Sequence, residues 1–191
     1  MIAALVFHSE LSPSMNIQTA TQDDAMAIAT MHVASWRETY MGLMPQAMLD
    51  SLLVEDQAAR WTRILAKADQ AVFIAERDGA AIGVASSGKQ RDERLRAQGF
   101  TGEISAIYVL RNEQGKGVGR RLMAAAALSL CGHGHRAASL WVLQDNQPAR
   151  RFYERLGGQV CGKRDDWRES VTFIELAYGW RDLSALTARP I

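Results

Sequence analysis

Cysteine is scarce. Cys131 and Cys161 are the only two in 191 residues, they lack metal-ligand spacing, and a chain of this size does not depend on a disulfide framework. An excess of one charge is missing as well. With 22 basic and 21 acidic residues the net charge is +1, which excludes a general polyanion-binding surface, so nucleic acid is not an expected partner and any anion site must be local. No stretch approaches the roughly 20 apolar residues of a membrane helix, so no membrane contact is expected. The opening "MIAALVFHSELSPS" has about seven apolar residues before His8 and Glu10 and no basic start, so it does not read as a signal peptide. The expectation is a reduced, cytoplasmic protein. Repeats and linker-like stretches are also absent, and 48% hydrophobic with 23% charged content suits one domain with a full core.

Along the chain, residues 1–14 read as an extension, 15–181 as the domain and 182–191 as a tail. A strand is expected at 16–20. In "TQDDAMAIATMHVASWRETY", Thr21 precedes two aspartates suited to the positive end of a helix, and apolar residues then recur at helical spacing. "PQAMLDSLLVEDQAARWTRILAKA" continues as one or two helices opened by Pro45. "AVFIAERDGAAIGVASSGK" has β-formers on both sides of Asp78-Gly79, a strong hairpin signal. The charged "QRDERLRAQGF" reads as a solvated loop, and "EISAIYVL", apolar on both faces, as a central strand covered on both sides. A helix at 118–131, a strand at 137–143, a helix at 147–156 and strands near 158–165 and 169–178 complete an α/β chain. Its mixed sheet should carry helices on both faces.

The most informative stretch is "VLRNEQGKGVGRRLMAAAA", where Gly115, Gly117 and Gly119 lie between a buried strand and an alanine-rich helix. Such a loop exposes backbone N–H groups at a helix's positive end and can cradle a phosphate or pyrophosphate, with Lys116, Arg120 and Arg121 adding charge. It can also be a turn that only lets strand and helix pack. A P-loop is excluded because Lys116 is followed by Gly117 rather than Ser or Thr. A dinucleotide fingerprint is excluded because the third glycine comes one residue early.

The chain resembles the GNAT superfamily of acyl-CoA-dependent N-acetyltransferases. Gln114, Gly117 and Gly119 match the family's Gln/Arg-x-x-Gly-x-Gly/Ala signature, "EISAIYVL" occupies the place of its splayed central strand, and "NQPARRFYERLGG" (146–158) is similar to its second motif. The resemblance covers about residues 16 to 178. It implies a single-domain GNAT fold with a mixed, mostly antiparallel sheet, and acetyl-CoA as donor without a metal.

By that resemblance, the N–H groups of Gln114, Gly115, Lys116, Gly117, Val118, Gly119 and Arg120 hold the pyrophosphate. The pantetheine arm pairs with Ile107, Tyr108 and Val109, freed by a local bulge, and a backbone N–H there, Val109's in this reading, stabilises the oxyanion. Asn146 contacts the arm, caps the next helix, or does both. Tyr153 protonates the departing thiolate, or packs its helix on the sheet with Phe152.

An amine nucleophile must shed a proton. Glu103 is the candidate base, against the plainer reading of a strand-end charge, with Glu38 in reserve. Trp36 and Tyr40 are candidates to touch the acceptor, and a hairpin around Asp165, Asp166 and Trp167 could cover its other side. Cys131, Cys161, His133 and His135 suggest neither a nucleophile nor a metal site. The reading is direct acetyl transfer to a small-molecule or peptide amine, with a homodimer as a family expectation. The alternative is a non-catalytic acyl-CoA-binding module or sensor.

Overall fold

Thr21 and Asp24 begin the first helix as their spacing predicts: the Asp24 carboxylate accepts from the Thr21 backbone N–H at 2.6 Å and from its hydroxyl at 3.0 Å. Residues 15–168 and 171–187 are described by the computed structural model, so the extension at 1–14 lies outside the described residues. After strand β1 (Asn16–Thr19) come helices α1 (Ala25–Tyr40), α2 (Gln46–Asp50) and α3 (Val54–Leu65). The hairpin β2 (Gln70–Arg77) and β3 (Ala80–Lys89) turns on Asp78 and Gly79, whose φ of 53° and 77° is the left-handed pair that a two-residue hairpin needs. Next are α4 (Glu93–Ala97), β4 (Gly102–Val109), α5 (Val118–Gly132), β5 (Ala138–Leu143) and α6 (Gln147–Arg155). The hairpin β6 (Gln159–Arg168) and β7 (Val171–Trp180) and the short α7 (Ser184–Thr187) end the described chain.

Seven strands form one sheet in the order β1-β2-β3-β4-β5-β7-β6, antiparallel throughout except where β4 meets β5. On one face, α1 and α3 bury Ile28, Ala29 and Trp61 against Val72, Ile74 and Val84. On the other, α5 sets Met123, Ala126 and Leu130 against Leu140, Tyr178 and Trp180. No helix of the described residues is long and apolar enough to cross a membrane.

Two segments differ from the sequence reading. The charged run at 90–100 is not a solvated loop. Asp92 caps α4 by accepting from the N–H groups of Arg94 and Leu95, and the fully buried Leu95 and Phe100 pin the segment to the sheet. Two apolar residues five apart among charges give no periodic signal, which hid them. The segment read as a tail is also partly packed, because Leu183 and Leu186 join the core beneath α5.

The feature that positions the site is a fault in the sheet. Ser86 pairs with Ala106 and Ser87 with Ile104, so Ser105 is a bulge. β4 meets β5 only at Gly102 and Glu103, and then the two strands separate. Upstream, the Gly102 N–H reaches across to the Ala137 carbonyl; downstream, the Leu110 N–H points the other way, to Ile82 of β3. Alternation back from Leu110 therefore turns the backbone groups of Ile107 and Val109 away from β3, onto an unpaired edge inside the sheet. The bulge sits upstream of Ile107 rather than at it, and it is the separation from β5 that leaves the edge open.

Leu122 wedges α5 onto this sheet, with Cδ1 only 3.0 Å from where a Cβ on Gly83 would stand. Leu122→Ala should therefore lower unfolding stability by about 2–5 kcal/mol in urea denaturation, with the slope unchanged; a loss under about 1 kcal/mol would mean that α5 is held elsewhere.

Candidate active site

The glycine loop divides into separate jobs. Gly115 and Gly117 have φ of 76° and 84°, and Gly117 is the N-cap of α5. The Arg121 N–H is bonded to the Gly117 carbonyl, so the preceding N–H groups of Val118, Gly119 and Arg120 lie at the open positive end of a 15-residue helix. Gly119 is small for another reason, since a Cβ there would stand 3.2 Å from the Phe152 ring. Val118 sends its side chain into the core. The Lys116 ammonium lies 3.3 Å from Glu113, a buried carboxylate that Arg77 also holds at 3.2 Å. The sequence reading missed this anchor under the loop because Arg77 is 36 residues away.

Loop and strand edge meet in a cleft of ≈ 780 Å³. Ile107, Tyr108, Val109, Gln114, Gly115, Gly117, Gly119, Arg120, Asn146 and Tyr153 all line it, as do Arg111, Arg151 and Arg155. Gln114 Nε2 donates to the Val109 carbonyl at 3.1 Å, tying the loop to the strand. Asn146 is buried and caps α6, its Oδ1 accepting from the Ala149 N–H at 3.2 Å. Tyr153 is nearly fully buried between Phe152, Tyr178 and Trp180. Burial, with Tyr108 adding to it, pushes its hydroxyl well above the ordinary tyrosine range, so it stays protonated.

At the far end, Thr39, Tyr40, Ser105 and Trp141 complete the wall. Tyr40 and the Trp36 indole lie beside the Tyr108 hydroxyl, and burial raises the pKa of both tyrosines. Trp36 Nε1 is buried and completes no hydrogen bond of ordinary geometry. Trp36 backs Tyr40 at 4.9 Å rather than lining the cleft. Phe173 and Val171 of the β6–β7 hairpin pack with Trp36 and Tyr40 at this corner. Asp166 is bound to Arg168 at 2.6 Å, while Trp167 faces outward and is 73% exposed.

The two proposed bases are held differently. Glu103 is buried, and its carboxylate accepts from the backbone N–H, Nε and Nη2 of Arg91 at 3.1, 2.9 and 2.5 Å. Four strand residues, or about 13 Å, separate it from Ile107. Glu38 accepts from the Arg111 backbone N–H at 2.9 Å.

His32 lies behind the tyrosines. Its ring is 4.4 Å from Tyr108, its Nδ1 accepts from the Trp61 indole at 3.1 Å, and its Nε2 is buried without a partner. Burial, helped by the Arg60 charge, lowers its pKa to about 4. The unfolded ring titrates near 6.5, so between these values the unfolded chain binds more protons. Stability should be full above pH 6.5 and fall by up to about 3 kcal/mol as the pH drops to 4. Urea midpoints across that range should show the fall in the wild type and a flatter dependence in His32→Gln; equal slopes would refute it.

The acetyltransferase (GNAT) family model matches residues 28–158. An uncharacterized N-acetyltransferase, YuaI of Bacillus subtilis (strain 168), is 34% identical over 173 residues, covering 90% of this chain and 96% of the relative. Among solved structures, the PaiA N-acetyltransferase of Thermoplasma acidophilum in complex with coenzyme A superposes with a TM-score of 0.66 at 19% identity, covering 85% of this chain and 98% of that one. YncA of Salmonella typhimurium, solved with acetyl-CoA, gives a TM-score of 0.63 at 20% identity over 88% and 94% of the two chains. The open β4 edge, the left-handed glycine cap and a family match over more than half its length place this chain in the GNAT acetyltransferase family.

Proposed function

We propose that the chain is an acetyl-CoA-dependent N-acetyltransferase acting by direct transfer between two substrates held in this cleft. The observation that carries it is one continuous surface: a strand edge at Ile107 and Val109 with no neighbouring strand, running into the N-terminus of α5, with a buried, protonated Tyr153 beside it.

The N–H groups of residues 118–120 and the arginines at 111, 120, 151 and 155 take the donor's phosphates. From there the extended arm runs back along β4 as an added strand. It meets Val109 first and Ile107 next, so Val109 binds an arm amide and the Ile107 N–H faces the thioester carbonyl. That places the oxyanion donor two residues earlier than the sequence reading, because the arm starts at the loop and its reactive end lies farthest from it. The oxyanion of the tetrahedral intermediate is then stabilised by a fixed backbone dipole that needs no reorganisation.

The acceptor nitrogen attacks the carbonyl carbon, the C–N bond forms and the C–S bond breaks. The thiolate takes its proton from the Tyr153 hydroxyl, which is restored from solvent. Bringing donor and nitrogen into contact supplies most of the remaining acceleration.

Calorimetry with acetyl-CoA should show binding to the wild type, with NADH ignored, and loss of binding in Gly117→Val, where a β-branched residue cannot hold the left-handed cap. Tyr153→Phe should keep acetyl-CoA affinity within about threefold and lower turnover by roughly 10²-fold or more. Wild type without acetyl-CoA binding would sink the donor site, and unchanged turnover in Tyr153→Phe would remove it as the acid. Binding with no turnover of any amine would favour the sensor reading.

A further inference from the structure

The acceptor end of the cleft restricts the chemistry of the amine, an inference that rests on the transferase reading above. An alkylammonium such as a lysine side chain, with a pKa of about 10.4, must be deprotonated by a group within hydrogen-bonding reach or one water away before it can attack. The charged residues that line the cleft among the described residues are all arginines, and these serve the donor's phosphates. The acceptor end itself offers hydroxyls, from Tyr40, Tyr108, Tyr153 and Ser105. Burial keeps the three phenols protonated, so none can act as the base.

Among the described residues, four carboxylates on the elements packed around this end already have hydrogen-bond or ion-pair partners. On α1, one oxygen of Glu38 accepts from the Arg111 backbone N–H; on β4, Glu103 is chelated by the Arg91 guanidinium. On β7, Glu175 is held by Arg164 at 2.6 Å and by Arg168 at 3.3 Å, and on β6 Asp166 is taken by Arg168. From α3, Arg60 adds positive potential at Tyr108. His32 accepts the Trp61 N–H at Nδ1, so in its neutral form Nε2 carries the proton and no free lone pair faces Tyr108.

Two arginines already stand over aromatic rings around this corner. Arg164 stands 4.2 Å over Trp141, and Arg168 lies 5.8 Å from Trp36 and 5.6 Å from Phe173. A second ammonium would lose its water and meet resident guanidinium groups.

We propose that the acceptor is a weakly basic amine, one whose conjugate acid ionises near or below pH 8, such as an α-amine beside a carbonyl or an arylamine, and that it binds uncharged. Its lone pair is then available on arrival, and the proton released after attack leaves to water.

The test uses the full chain with acetyl-CoA and a panel of primary amines: leucinamide and an aniline against 3-methylbutylamine and the ε-amine of Nα-acetyl-lysinamide. CoA release is followed from pH 5.5 to 10. At pH 7.5 the neutral fraction of an α-amine exceeds that of an alkylamine by about 10²-fold. The expected result is turnover of the weakly basic pair at least about tenfold above the alkylamines. For each amine, log kcat/KM should rise with unit slope to that amine's own pKa. A break between pH 5 and 8 at the same position for every amine would reveal a protein base and overturn the proposal, as would alkylamines turned over as fast as leucinamide. Silence of the whole panel with acetyl-CoA still bound would instead bring down the transferase reading, and this inference with it.

Discussion

The separation of β4 from β5 after two residue pairs is the constraint from which the rest follows. A seven-stranded sheet ordinarily satisfies every interior N–H and C=O, and leaving several unpaired in the middle is costly unless something else takes them up. The Ser105 bulge makes the gap possible by reversing which backbone groups point across it. A substrate arm that added as a strand would turn that local cost into binding energy, and would do so without a side chain whose identity matters.

The two faces of the sheet then play unequal parts. On the α5 face, small residues let the layers close. Gly83 admits Leu122, Gly119 admits Phe152, and the resulting packing holds the α5 N-terminus against the strand edge at a fixed angle. On the opposite face, ion pairs hold the floor. Arg91 with Glu103, and Arg164 and Arg168 with Glu175, link the α4 segment, β4, β6 and β7 around Trp141. The donor side is built by shape and backbone geometry. The side proposed for the acceptor is bordered by charges paired within the protein.

How much of this was legible in the sequence depends on the range of the interaction involved. The Asp78-Gly79 turn and the Thr21–Asp24 cap are decided within four residues, and both formed as expected. The three loop glycines read alike in sequence, yet two supply left-handed backbone and the third makes room for a ring 33 positions away. The bulge is hidden inside an apolar run that looks uniform, so the parity of Ile107 and Val109 could not be assigned before the pairing was seen. Glu103 read as a possible base because its partner, Arg91, lies twelve residues earlier in a run that seemed solvated.

Glu103 also shows why position alone does not assign a chemical role. A carboxylate at the start of the central strand, close in sequence to the donor edge, suits proton transfer on paper. Here its two oxygens accept three hydrogen bonds from one arginine, and releasing them would strand a buried charge. Arg91 itself is mostly solvent-exposed and sits on the segment pinned by Leu95 and Phe100, so its guanidinium is held by chain geometry as much as by charge. The same pair that would have to open to free a base therefore also ties the α4 segment to β4. On the reading proposed above, an acceptor face that keeps its carboxylates for structure would leave deprotonation to the substrate and to water, and the basicity of the amine would become part of the selection.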